Sequence, residues 1–150
     1  MFKIICIGKI KEKYLQEAIE EYQKRISKYT KLEIIELPDY NYDIKKTIKE
    51  ESDNIMKVLN KNDYNILLDI NGSLLSSIEL SDKINNILIN NSNITFIIGG
   101  SFGVSDEIKN MVNYKLSFSR MTFPHQLFRV ILLEQIYRSF KIINHEEYHK

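Results

Sequence analysis

Two segments near the carboxyl end of the chain combine residue types that favour a ligand site. Gly99, Gly100 and Gly103 follow the apolar run Ile94–Ile98, which is typical of a strand buried on both faces. Glycines at the end of such a strand let backbone amides approach a ligand closely. The second segment, 120–124, connects a strand predicted at 115–119 to a helix that begins at His125, and its last residue, Pro124, fits the first turn of that helix. Because ligands bind at the carboxyl edge of open α/β sheets, the two segments predict one pocket.

The glycine segment also matches G-x-S-x-G, the nucleophile elbow of α/β-hydrolases, with Ser101 as the nucleophile. An elbow turns directly into a helix, whereas the next helix-start signal lies at Ser105. No glycine-rich oxyanion segment follows the third predicted strand, so the pattern disfavours a hydrolase. The chain has no Walker A motif, no dinucleotide fingerprint and no Cys and His cluster for a metal.

Length and composition set the broad class. A chain of 150 residues predicts one domain, 1–150, and the single cysteine, Cys6, fits a core position in a reducing compartment. We find no signal peptide and no apolar run long enough to span a membrane, so we expect a soluble cytoplasmic protein. The net charge of +1 is weak for a nucleic-acid-binding domain, so an RNA partner would need local patches. The candidate patches are Lys9, Lys11 and Lys13, and Lys24, Arg25, Lys28 and Lys31, for which a solvated surface is the plainer interpretation.

Strand and helix patterns alternate along the chain. Strands are predicted at 2–7, 32–37, 65–70, 94–98 and 115–119, with Asn71-Gly72 closing the third. Helical apolar spacing fills each interval, and Ser105 is the predicted N-cap of a short fourth helix. This alternation predicts an α/β fold with a Rossmann-like parallel sheet covered by helices on both faces.

The last helix is apolar around more than one face. Such a helix is buried on more than one side, either by a second subunit or deep in its own core, and we favour the second subunit. The residues concerned are Leu127, Phe128, Val130, Ile131, Leu132, Leu133, Ile136, Tyr137 and Phe140.

Specific motifs occur along the whole chain. They are Ile7-Gly8-Lys9 with Tyr14, Leu68-Asp69-Ile70-Asn71-Gly72, Ile97-Ile98-Gly99-Gly100 with Gly103, Leu116-Ser117-Phe118-Ser119, Met121-Thr122-Phe123-Pro124-His125, Arg129, Glu134-Gln135 with Tyr137-Arg138, and Tyr148-His149-Lys150. Together these motifs resemble the SPOUT-class ribosomal RNA large-subunit methyltransferase H family, whose members methylate N3 of a pseudouridine in 23S rRNA. The chain departs from the pattern at Ser73, where lysine is common, and around Asn144-His145.

The resemblance implies a fold and a cofactor that periodicity does not give. The fold is a SPOUT domain with a C-terminal trefoil knot, a rare exception to unknotted topology, assembled as a homodimer. The methyl donor is S-adenosylmethionine, with no metal. The donor site carried over from the family comprises Leu68, Gly99, Phe118, Ser119, Arg120, Met121, Thr122 and Phe123. At Gly99 we expect a β-carbon to meet the ligand or to require an unfavourable backbone angle.

Methyl transfer to an imide nitrogen requires alignment and loss of the N3 proton. The candidate groups are His125, Arg138, Tyr148 and His149, with Glu134 placed to orient Arg138 four residues on. Plainer roles stay open, namely a surface ion pair for Glu134 and Arg138, a helix cap for His125 and a frayed terminus for the tail. We expect the tail, Tyr148-His149-Lys150, to complete the target-nucleotide site, in cis or across the dimer.

The sequence leaves two candidate functions. The first is a 23S rRNA methyltransferase, and the second is a non-catalytic dimeric RNA- or nucleotide-binding protein that uses the same loops. The resemblance and the weak net charge favour a large preformed ribosomal surface over free rRNA as the substrate.

Overall fold

The computed structural model describes residues 1–150 as one five-stranded sheet with five helices. The elements are β1 Phe2–Ile7, α1 Lys13–Ile26, β2 Leu32–Leu37, α2 Ile44–Val58, β3 Tyr64–Leu74, α3 Ser77–Asn90, β4 Ile94–Ile98, α4 Asp106–Met111, β5 Tyr114–Ser117 and α5 His125–Ile143. The strand order is β2-β1-β4-β3-β5, and every pair is parallel. The predicted α/β architecture with a parallel sheet is therefore confirmed.

The position of each strand in the sheet follows its residue pattern. β4 is buried at every residue and lies between β1 and β3, as a continuous apolar run predicts. β2 forms one edge of the sheet and exposes Glu33 and Glu36 between its apolar residues. Charged side chains on an edge strand discourage pairing with another chain.

Helix α5 packs between α1 and α3 on one face of the sheet, over the larger of two apolar cores. The smaller core, on the other face, includes Ile55 of α2 and Ile108 of α4. Leu132, Leu133 and Ile136 of α5 are fully buried within the single chain. The all-round apolar pattern is therefore largely satisfied by the helix's own core, which was the alternative interpretation. The homodimer stays a prediction, as does the trefoil knot.

The prediction that Asn71-Gly72 closes the third strand is wrong, because β3 continues to Leu74. Its pairing with β5 shifts register between Leu68 and Ser73, both of which pair with Leu116. A β-carbon at Gly72 would lie 2.7 Å from the carbonyl carbon of Lys115. Glycine is therefore needed at position 72 because the two strands approach closely there, and not because the chain turns.

The segment before α5 also differs slightly from prediction. β5 ends at Ser117 instead of Ser119, because Ser117 Oγ donates to the Ser119 carbonyl at 3.0 Å and the backbone turns away from the sheet. Pro124 is the N-cap residue rather than part of the first turn, and its carbonyl accepts from Phe128 N at 2.8 Å. The predicted helix start at His125 and the predicted cap at Ser105 are both confirmed. None of the five helices has the length and apolarity needed to span a bilayer.

Candidate functional site

A cavity of about 400 Å³ lies at the carboxyl edge of β3, β4 and β5. It is formed by three backbone segments, 67–71, 98–104 and 116–123, together with Lys109, His125 and Phe128. We call it the edge cavity. Its position agrees with the pocket that the two special segments predict.

The glycine turn, residues 99–103, forms one wall of the edge cavity. Gly100 and Gly103 pair as an antiparallel bridge, with Gly103 N donating to the Gly100 carbonyl at 3.0 Å. Gly103 has a φ of +81°, a conformation that favours glycine, whereas Gly99 does not have a positive φ. A β-carbon at Gly99 would instead lie 2.9 Å from Val104 Cγ1 and 3.3 Å from the carbonyl carbon of Gly103. The expectation of an unfavourable backbone angle at Gly99 is therefore wrong, and tight packing inside the turn requires glycine.

Aromatic rings form the opposite wall. Phe118 and Phe128 meet edge to face with ring centroids 5.1 Å apart, and Phe123 stacks on Phe128 at 5.9 Å. The backbone between these rings is fixed by Ser119 Oγ, which accepts from Met121 N at 3.0 Å. Such a wall offers apolar faces to a planar ring.

Most of the predicted donor-site residues line the edge cavity. They are Leu68, Gly99, Phe118, Ser119, Met121, Thr122 and Phe123. Arg120 belongs to the same loop, but it is exposed and does not line the cavity.

Sequence reasoning assigned no site role to several residues of this lining, among them Asp69, Asn71, Lys109 and Phe128. Asp69 Oδ1 accepts from Asn71 N at 2.9 Å, so the two hold the bend that follows the buried part of β3. Polar residues directly after a buried strand were a usable signal for this pair. Lys109 gave no such signal, because only the packing of α4 brings it to the cavity.

His125 lies at the mouth of the edge cavity, on the first turn of α5. Partial desolvation, and then the positive charge of Arg129, lower the pKa of His125 below its ordinary value of 6.5. The imidazole is consequently neutral at neutral pH and able to accept a proton.

Arg129 fixes the start of α5 to the ends of β1 and β2. Its guanidinium is buried, forms a short ion pair with Glu36, and donates from Nη2 to the Gly8 carbonyl at 3.0 Å. Glu36 also accepts from Ile10 N at 3.2 Å. This clasp sets the position of His125, one turn earlier on the same helix.

The other four predicted catalytic residues form a separate group, which we call the tail cluster. Arg138 donates to Glu134 Oε1 from Nε at 3.1 Å and from Nη2 at 2.6 Å, and the Tyr148 hydroxyl donates to the same oxygen at 3.0 Å. Arg138 Nη1 lies 3.1 Å from His149 Nδ1. The tail is therefore packed against α5 through Tyr148 and His149.

Electrostatics favour one protonation state for the tail cluster. The hydrogen bond with Glu134 raises the pKa of the Arg138 guanidinium, which stays charged. Burial, and then the hydrogen bond to Glu134, raise the pKa of Tyr148 above its ordinary value of 10. Tyr148 is thus a neutral phenol whose ring contacts the Arg138 guanidinium, 4.7 Å from its centroid, and the Tyr137 ring.

The tail cluster and His125 are far apart in one chain. His125 begins α5 and Arg138 lies thirteen residues further along the same helix, so at a rise of roughly 1.5 Å per residue they are separated by about 20 Å. None of the four cluster residues lines the edge cavity. No group of His, Cys, Asp and Glu side chains is arranged to hold a metal ion at either place.

The parallel sheet and the cavity at its carboxyl edge place the chain among α/β proteins that bind a ligand at the ends of their strands. A family model described as a predicted SPOUT methyltransferase matches residues 1–149. The chain belongs to the SPOUT methyltransferase family.

Curated relatives agree with this family, and a solved structure has a similar fold. Proteins of Clostridium botulinum (strain 657 / Type Ba4) and Clostridium tetani (strain Massachusetts / E88), both called ribosomal RNA large subunit methyltransferase H, are 52% identical to this chain in alignments of 155 positions. Each alignment covers 98% of this chain and 98% of the relative. A probable methylase family protein from Haemophilus influenzae Rd KW20 aligns over 99% of this chain and 70% of its own with a TM-score of 0.57. At 13% identity, that likeness concerns the fold alone.

Proposed function

We propose that this protein transfers a methyl group from S-adenosylmethionine to N3 of a pseudouridine in the 23S rRNA of the large ribosomal subunit. The observation that carries the proposal is the edge cavity, in which all the donor-site residues implied by the family resemblance except Arg120 come together. The names of the relatives support a ribosomal RNA of the large subunit as the substrate.

The lining of the edge cavity fits the parts of S-adenosylmethionine. Phe118, Phe123 and Phe128 offer apolar faces to the adenine ring, and the glycine turn offers backbone groups. Asp69 and Lys109 carry opposite charges that match the ammonium and carboxylate groups of the methionyl part. When bound, the donor supplies an electrophilic methyl group, and the protein has to align the acceptor nitrogen with it.

His125 is the proposed group that accepts the imide proton. It lies at the edge cavity, and its lowered pKa keeps the imidazole neutral at neutral pH. Arg129 acts through His125, because the clasp with Glu36 and Gly8 fixes the first turn of α5.

The tail cluster is the proposed binding site for the target nucleotide. Glu134 holds Arg138 and Tyr148 in place, so an aromatic ring and a guanidinium are presented together. An unstacked base can stack on tyrosine or arginine, and Lys150 can meet phosphate. The tail cluster thus supplies the contacts to RNA that the edge cavity lacks.

The distance between these two groups supports a homodimer. Because Arg138 lies about 20 Å from His125 along α5, we assign the tail cluster to the edge cavity of a second subunit. Exposed apolar side chains support such an assembly, namely Leu74, Ile78 and Leu127, each 42–52% exposed.

Methyl transfer from labelled S-adenosylmethionine tests the proposal. The substrates are free 23S rRNA, isolated large subunits and assembled ribosomes from cells that lack the modification, and mass spectrometry locates the product. We expect methylation of a pseudouridine on an assembled ribosomal surface. RNA binding without label transfer to any substrate would favour the non-catalytic alternative.

A further inference from the structure

The inner face of α2 is unusually polar where it meets two loops of the carboxyl edge. Thr47, Glu51 and Ser52 are all at most 3% exposed. Thr47 Oγ1 accepts from Tyr42 N and Glu51 Oε2 from Tyr40 N, both at 3.0 Å. Ser52 Oγ accepts from the backbone N–H of the residue that caps α4, at 2.9 Å. α2 therefore ties the segment after β2 to the segment that carries the glycine turn.

Only one of the two carboxyl oxygens of Glu51, Oε2, takes part in this anchoring. Oε1 is buried and has no hydrogen-bond partner. It lies against Gly100, where any added β-carbon would collide with it. Gly100 lines the edge cavity and Glu51 does not, so the carboxyl group lies behind the glycine turn.

The glycine turn also has an N–H group outside its own pairing. Gly100 and Gly103 pair with each other, whereas the N–H of Ser101, one residue after the contact with Glu51 Oε1, takes part in no backbone hydrogen bond. A buried acceptor without a partner therefore lies one residue away from an N–H group that is free to meet it. Buried polar groups in native proteins are normally paired, so a state in which Oε1 accepts from the turn is expected.

Packing alone would not favour a glutamate at position 51. Burial, opposed by the hydrogen bond from Tyr40 N and reinforced by the charge of Asp39, raises the pKa of Glu51. Ile55, one turn later on α2, is fully buried and apolar. An apolar residue at position 51 would fill the space without the desolvation of a carboxyl group.

We propose that Glu51 is a positioning residue for the donor site, whose Oε2 anchors the Tyr40 segment and whose Oε1 accepts a backbone N–H of the glycine turn when S-adenosylmethionine occupies the edge cavity. The inference rests on the proposed function, because it takes S-adenosylmethionine as the ligand. Glu51 acts through the glycine turn and does not contact S-adenosylmethionine.

Calorimetric titration of S-adenosylmethionine into wild type, Glu51→Gln, Glu51→Ala and the control Ile55→Val tests this role. Glutamine keeps the shape of the side chain but has one acceptor oxygen, so it can serve Tyr40 N or the turn but not both. We expect the donor Kd to rise about tenfold in Glu51→Gln and further in Glu51→Ala, the scale of one hydrogen bond to a charged group. Ile55→Val should lower Tm and leave the donor Kd unchanged.

Hydrogen exchange of the wild-type protein gives a second test that needs no substitution. Adding S-adenosylmethionine should slow exchange at the Ser101 amide. A wild-type Kd in folded Glu51→Gln, or unchanged exchange at Ser101 despite binding of S-adenosylmethionine, would overturn the role of Glu51 alone. Failure of the wild-type protein to bind S-adenosylmethionine would overturn the proposed function as well, so the two failures are distinguishable.

Discussion

The glycine turn offers a prediction whose physical cause can be separated from its effect on binding. In Gly99→Ala, the new β-carbon would lie 2.9 Å from Val104 Cγ1, about half an ångström inside ordinary contact, and Val104 is only 6% exposed. Overpacking of this kind costs typically about 1–3 kcal/mol. Because the turn lines the edge cavity, a shift that relieves the overlap also displaces groups around the donor. We expect the free energy of unfolding to fall by about 1–2 kcal/mol and the Kd for S-adenosylmethionine to rise at least about tenfold.

A double-mutant cycle with Val104→Ala identifies the cause. Removing Cγ1 makes room for the new methyl group, so the double variant should recover part of both stability and donor affinity relative to Gly99→Ala. The coupling free energy should be about 1 kcal/mol, measured by thermal unfolding and by calorimetric titration, with Val104→Ala alone as the matched control. A normal donor Kd in Gly99→Ala would show that the cavity is not the donor site. Loss of affinity without recovery in the double variant would refute the packing explanation.

Three further predictions concern α5 and its ends. Glu134→Ala removes the acceptor shared by Arg138 and Tyr148, so the tail should become sensitive to carboxypeptidase. Ribosome methylation should fall at least about tenfold, while the Kd for S-adenosylmethionine stays unchanged. An equal loss of affinity for S-adenosylmethionine would contradict separate roles for the tail cluster and the edge cavity. Leu127→Asp should dissociate the dimer in sedimentation while the chain stays folded. Leu132→Asp should unfold the chain, because Leu132 is fully buried and an unpaired buried charge costs several kcal/mol, on the order of the whole stability. A folded, dimeric Leu127→Asp would place the interface elsewhere. The methylation rate should fall as the pH drops through the pKa of His125, which lies below 6.5, because the protonated ring cannot accept a proton. The same pH profile in His125→Asn would show that His125 takes no part in the reaction.

Apolar patterning located most of the fold. β1, β2 and β4 were predicted with the observed bounds because each is a continuous or alternating apolar run next to a clear turn signal. The end of β3 was missed because Asn71-Gly72 normally marks a turn, and only the pairing with β5 shows that Gly72 serves a close approach. The pattern of α5 was ambiguous, since burial by α1 and α3 and burial by a second subunit predict the same apolar positions.

Site residues were predictable only where a motif carried them. Phe118 and Gly99 were assigned through the family resemblance and do line the edge cavity. Lys109 reaches the edge cavity through the packing of α4, and Glu51 reaches the glycine turn through the packing of α2; no local spacing encodes either contact. The separation of His125 from the tail cluster also depends on the straight course of α5, and the sequence alone left the choice between cis and cross-subunit action open.

The pairing of one subunit's edge cavity with the other subunit's tail is tested most directly by mixing two inactive proteins. One lacks residues 148–150, and the other carries Gly99→Val, so each homodimer should be inactive for a different reason. After subunit exchange, half of the dimers are mixed and each has one intact centre, so ribosome methylation should recover to about a quarter of the wild-type rate. No recovery, with exchange confirmed by mass spectrometry, would show that the tail acts within its own chain and would contradict the composite site. A truncated protein that methylates ribosomes at the wild-type rate would remove the tail from the site altogether.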